Sequence, residues 1–138
     1  MRLSAILVLL FSFMIIISCS LGKLKQSEVD TWLNAISGSE SPALDISGNW
    51  YDAKEKYLFG WGEGYLQQDH NKVRGAIGSY NIKGIVSGKK VYLVFISGGT
   101  VYYMAYLEML EDGLLVGNYF EADDKELERG YPTSLQKR

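Results

Sequence analysis

The feature that most constrains this chain is a change of period at Leu44. From there to the C-terminus, apolar residues recur at every second position in short runs. That period places successive side chains on opposite faces of a strand. Eight runs are predicted, over 45–51, 57–67, 72–79, 80–87, 91–97, 100–110, 114–120 and 131–137. Asp69-His70-Asn71, Ser87-Gly88-Lys89, Ser97-Gly98-Gly99 and Glu111-Asp112-Gly113 separate them with hairpin chemistry. Links this short make neighbours antiparallel, because parallel pairing needs a long crossover. An eight-stranded meander removes its exposed edges by closing on itself. Gly75, Gly78, Gly84 and Gly117 fall within the runs, where glycine marks bends at barrel corners. The expected fold is therefore all-β: an eight-stranded antiparallel meander closing into a small barrel. The boundary at residues 78–79 also allows one long bent strand. Pro132 restricts the last run to an edge or a strand start.

A short helix is expected before the first strand, over residues 27–36. Val29, Trp32, Leu33 and Ile36 form one apolar stripe at helical spacing. Ser27 is a candidate N-cap, with Glu28 and Asp30 in the first turn. The polar face has no Lys or Arg to meet anionic lipid, so the stripe is expected to pack on the domain. The domain offers a surface for it, since residues 91–96 and 101–107 are apolar on both faces. One face fills the barrel, and the other needs a cover: the helix, a partner or a second copy.

Tyr102, Met104 and Tyr106 share one face of the sixth run; Val101, Tyr103, Ala105 and Leu107 share the other. An eight-stranded barrel is just wide enough to be filled by side chains or to hold one small ligand. Tyrosine joins an apolar body to a polar tip, which suits a partly apolar ligand. Tyr102, Tyr103, Tyr106 and Trp50 are the candidate ligand-binding residues. Core and interface packing is the competing role for the same side chains.

The N-terminus has another character. After Met1-Arg2, residues 3–17 are apolar except for Ser4 and Ser12. A charged start and an apolar core of 15 residues make a secretory signal, since a membrane-spanning helix needs about 20. Ile16-Ile17-Ser18-Cys19 resembles the lipobox of bacterial lipoproteins: an aliphatic residue, a tolerant position, a small residue, then cysteine. The resemblance implies diacylglycerol on the Cys19 thiol, cleavage before it and usually acylation of the new amino terminus. Two or three acyl chains hold a protein far more firmly than one. It divides the chain into a signal peptide at 1–18, a lipidated cysteine with a polar tether at 19–26, and a barrel domain with its leading helix at 27–138. Ser20 stands where the family's inner-membrane retention signal places Asp, which favours the outer membrane in an organism that has one. Cys19 is the only cysteine, so the chain can form no internal disulfide and no thiolate metal site.

Ser47-Gly48-Asn49-Trp50-Tyr51 carries a second resemblance. A Gly-x-Trp on the first strand after a short helix is similar to the opening of the lipocalin and avidin families, the calycin-type barrels. There the Trp closes one barrel end and a small ligand binds inside. This implies close backbone approach at Gly48 and a base plug at Trp50. The Arg that packs on this Trp in those families would be Arg129 or Arg138, and the later lipocalin motifs are not found. The same residues fit Ser-Gly-x-x-Tyr, which resembles a motif of small barrel lipoproteins that inhibit lysozyme. Their second motif, a Tyr with Lys-Gly, is not found either.

Sites for chemistry are sparse. His70, the single histidine, lies in a turn with no nucleophile motif in view. Glu121, Asp123, Asp124, Glu126 and Glu128 lack the spacing and the early glycine of a calcium loop. Glu63 and Glu108 lie in strands, where outward-facing carboxylates are the expectation over an acid–base pair. Trp61-Gly62-Glu63-Gly64 opens no helix and is no phosphate loop. Residues 19–138 carry 13 basic side chains against 16 acidic ones, a net charge of −3, which argues against nucleic acid. The expectation is an exported, membrane-anchored envelope lipoprotein that is not an enzyme and uses no cofactor or metal. Its barrel binds a small, partly apolar ligand. The alternative is an interaction or inhibitor protein with a filled barrel, which binds another envelope protein or an enzyme.

Overall fold

The computed structural model describes residues 22–52, 60–110 and 113–138. Its strands are β1 (Gly48–Asp52), β2 (Glu63–Asp69), β3 (Lys72–Ile77), β4 (Tyr80–Ser87), β5 (Lys90–Ser97), β6 (Thr100–Met109), β7 (Leu114–Glu121) and β8 (Tyr131–Lys137). Each pairs antiparallel with the next, and β8 returns to β1 to close the barrel. Gly78-Ser79 is a hairpin turn, with Gly78 at φ +57°, so the soft boundary there separates two strands. Gly117 shows what closure demands: a Cβ there would collide with the Tyr106 carbonyl of β6. Pro132 pairs with Asn118 of β7 and precedes the ladder to β1, which begins at Leu135.

Alternation along the strands produces two apolar layers. Trp50, Leu66, Val73, Ile77, Val91, Leu93, Phe95, Leu107, Leu115 and Leu135 point inward and are fully buried or nearly so. Ile85, Tyr92, Val94 and Met104 point outward and are buried too. The cover over this outer layer is the helix α1 (Val29–Ser37), entered through a turn of 3-10 helix at Gln26–Glu28. Val29 and Leu33 are buried against β4 and β5, with Trp32 and Ile36 at the edges. Each side chain buried this fully contributes about 1.5–3 kcal/mol. Trp32 Nε1 donates to the Lys125 carbonyl at 3.1 Å and ties the helix to the loop between β7 and β8.

Four local expectations are corrected. Ser27 does not cap the helix; the Lys25 N–H instead donates to Glu28 Oε2 at 3.0 Å. The second strand begins at Glu63, because Gly62 takes φ +89° and Trp61 N–H is held by Asp52 Oδ2 at 3.0 Å; residues 57–59 of the expected run lie outside the described residues. The β5–β6 ladder shifts register, with Phe95 opposite Tyr103 but Ile96 opposite Val101. Tyr102 is the extra residue of this bulge, and Val101 moves to the outer layer away from Tyr103. Finally, within the polar tether expected at 19–26, residues 24 and 25 are held on the barrel. Leu24 is buried, its N–H donates to the Ala122 carbonyl, and Lys25 bridges to Thr100.

Candidate functional site

The meander gives the barrel two ends. The base gathers the turns at residues 70–71 and 88–89, residues 110 and 113, and the segment 38–47. The mouth gathers the turns at 78–79 and 98–99, the loop 122–130 and residues 60–62.

Trp50 seals the base. It has no exposed surface, and its Nε1 donates to the Ile46 carbonyl at 2.7 Å. Gln68 locks the surrounding segment, accepting from Ile46 N–H at 2.9 Å and donating to the Leu44 and His70 carbonyls at 3.0 and 2.8 Å. Lys137 lays its ammonium 5.8 Å from the Trp50 ring centre. Gly48 makes room for it: φ is +137°, and a Cβ would approach Lys137 Cε to 2.8 Å. The cation over Trp50 is therefore Lys137, neither Arg129 nor Arg138. Arg138 packs over Tyr51 at 5.2 Å and pairs with Glu63 at 2.7 Å.

The mouth is aromatic. Trp61 stacks on Phe95 with ring centres 4.0 Å apart and meets Tyr119 edge-on at 5.4 Å. Tyr103 lies 5.6 Å from Tyr119, and Tyr80 lies 6.0 Å from both Tyr102 and Tyr103. Tyr131 extends the series, 5.4 Å from Tyr119. Pairs at these separations add about 0.5–1.5 kcal/mol beyond their burial. Phe95 is wholly buried, whereas Trp61, Tyr80, Tyr103 and Tyr119 are half-buried, and Tyr102 and Tyr131 are 47% and 54% exposed. Desolvation first, then the neighbouring Tyr103 and Tyr102 phenols, raises the Tyr80 phenol above its ordinary value. Tyr119 is raised by desolvation and then by Tyr103, Tyr131 and Glu121. The tyrosine hydroxyls differ in their partners. Among the described residues those of Tyr51 and Tyr106 find side-chain partners, Gln136 and Glu108, while those of Tyr80, Tyr103 and Tyr119 find none.

Of the ligand-binding candidates, Tyr103 points inward at the mouth and Trp50 lies at the opposite end. Tyr102 stands on the outer rim. Tyr106 is on the outer wall, stacked 5.0 Å from Tyr92, with its hydroxyl donating to Glu108 Oε1 at 2.8 Å. The four do not share one cavity. Cys19 lies outside the described residues. Glu63 and Glu108 point outward on non-adjacent strands, β2 and β6. His70 is 93% exposed and meets Asp69 at 2.8 Å. In the acidic loop, Asp124 accepts backbone N–H bonds from Glu128 and Arg129 at 3.2 and 2.6 Å. Ser47 Oγ accepts from Gln68 N–H at 2.9 Å, so the Ser-Gly-x-x-Tyr stretch belongs to the base.

Sequence reasoning missed Trp61, Tyr80, Phe95, Tyr119 and Tyr131 as a group. A signal was available: nearly all flank alternate connections of the meander, and alternate connections share a barrel end. Comparison with family models, with curated proteins and with solved structures finds no match to this chain.

Proposed function

We propose that the protein is an exported, lipid-anchored lipoprotein of the bacterial envelope, non-enzymatic, which captures a small, partly apolar molecule at the barrel mouth. The observation that carries this reading is the half-exposed tier of Trp61, Tyr80, Tyr103 and Tyr119 above a filled interior. Aromatic faces supply apolar contact, and the hydroxyls of Tyr80, Tyr103 and Tyr119, which find no side-chain partner among the described residues, supply hydrogen bonds that orient a ligand. The anchor is Cys19, on its lipobox residues. Native mass spectrometry of the intact lipoprotein released from detergent tests both parts. Acyl chains on Cys19 and a bound small molecule lost in Trp61→Ala support the reading. An empty barrel in both proteins, with Trp61 fluorescence unmoved by lipid extracts, would sink it.

One observation favours a second reading, an interaction or inhibitor protein. Leu66, Leu93, Phe95, Leu107 and Leu115 fill the interior with their own side chains. A ligand is then confined to the mouth, where half-exposed tyrosines equally suit a protein surface.

A further inference from the structure

We propose that the aromatic mouth is a membrane-contact surface, so that the barrel stands mouth-down on the bilayer. This rests on the anchor at Cys19 proposed above and adds the orientation that the fold imposes on it. Leu24 is pinned at the mouth: its N–H bonds Ala122, and the adjacent Lys25 bridges to Thr100 at the start of β6. Five peptide steps separate Cys19 from Leu24. Fully extended, they reach about 17 Å. Strands of eight residues tilted as in a barrel give a wall about 20 Å high. A base-down pose would need the whole segment stretched along that wall. A mouth-down pose needs no stretching.

The surface that this pose turns toward lipid has the matching chemistry. Tyr102 and Tyr131 are about half exposed, with Tyr80, Tyr119 and Trp61 beside them. Tyrosine and tryptophan favour the headgroup region, where one end of the side chain is apolar and the other wet. The base presents Lys137, Arg138, Asp69 and His70, with one half-exposed aliphatic side chain, Leu110, and none of the clustered aromatics. Around the mouth, among the described residues, Glu28, Glu121, Asp123, Asp124, Glu126 and Glu128 outnumber Lys23, Lys25, Lys125 and Arg129. The partner is therefore zwitterionic lipid, because an anionic surface rewards basic clusters. A ligand reaching Trp61 comes from the bilayer interface.

The test uses the full chain, expressed with its leader and reconstituted in vesicles of phosphatidylethanolamine and phosphatidylcholine. Intact mass first reads the acyl chains on Cys19. Single cysteines then carry spin labels, from Ser79→Cys and Tyr131→Cys at the mouth and Asn71→Cys and Lys89→Cys at the base. All four positions are exposed. The expected result is a several-fold higher ratio of oxygen to water-soluble nickel accessibility at the mouth labels. Replacing Tyr102 and Tyr131 with serine should move the Ser79→Cys label toward the aqueous value. Acylated protein with four equally aqueous labels overturns the orientation and leaves the anchor standing. Unacylated Cys19 overturns the anchor and the orientation with it.

Discussion

Trp50 and Trp61 occupy opposite ends of one barrel, and nearly everything about them differs. Trp50 sits on a strand, is closed off from water, gives its indole N–H to Ile46 and lies under the Lys137 side chain. Trp61 sits between two glycines ahead of β2, held at its backbone by Asp52, with its ring on Phe95 and part of its surface in water. The base satisfies every demand of its tryptophan internally, whereas the mouth leaves apolar surface and hydroxyls for something else. Under the proposed function, substitutions at the two ends should separate stability from capture.

The largest effect is expected at the base. Trp50→Ala removes a fully buried indole and should destabilise the protein by about 3–5 kcal/mol, read as a shifted midpoint in urea unfolding. Gly117→Ala comes next. Its methyl must displace the Tyr106 carbonyl of β6, so the strands must part or bend, at a cost of about 3 kcal/mol. Circular dichroism under urea would measure it, and an unchanged midpoint would show that the barrel wall yields there. Trp61→Ala should cost only about 1–2 kcal/mol, since part of the ring is already in water. The same substitution should abolish whatever the mouth captures. Equal losses of stability from Trp50→Ala and Trp61→Ala would erase the contrast between the ends.

The fold was legible because its signals are local. Hairpin turns fix neighbouring strands and the period of two fixes faces, so the closed meander follows from the eight runs and their turns, and the second apolar layer from residues 91–107. The helical stripe of Val29 and Leu33 identified its own cover. What the pattern could not carry was register. A bulge adds one residue and reverses the face of whatever lies beyond it, which is why Val101 parted from Tyr103. The start of β2 depended on a tertiary bond from Asp52, and the position of Leu24 on a pairing with Ala122 nearly a hundred residues away. The mouth was only half legible. Tyr103 stood out within its run, but Trp61 read as part of a glycine-rich strand. Its ring neighbours Phe95, Tyr103 and Tyr119 come from three later strands, β5, β6 and β7, and only closure brings them to it.

The smallest expected effect tests whether the outer wall differs from the mouth in the same sense as the base does. Tyr106, unlike Tyr80, Tyr103 and Tyr119, has a side-chain hydrogen-bond partner among the described residues. Its phenol is pushed up to about 12, by desolvation first and then by its hydrogen bond to Glu108. An unfolded tyrosine titrates near 10. The folded state therefore holds this proton more tightly, and the associated stability is whole below pH 10 and lost as the pH rises toward 12. Tyr106→Phe at pH 8 removes one partly exposed hydrogen bond and should cost about 0.5 kcal/mol. Glu108→Gln keeps an acceptor but removes the charge, so the phenol should titrate lower and stability should fall less steeply above pH 10. Phenolate absorbance read beside the urea midpoint at pH 9 and 11 separates the two contributions. A phenol that titrates near 10 in the folded protein, with Glu108→Gln indistinguishable from the parent, would mean that the Tyr106–Glu108 pair is open to water. The outer wall would then resemble the mouth, and the division between a closed structural part and an open contact surface would have to be redrawn around α1.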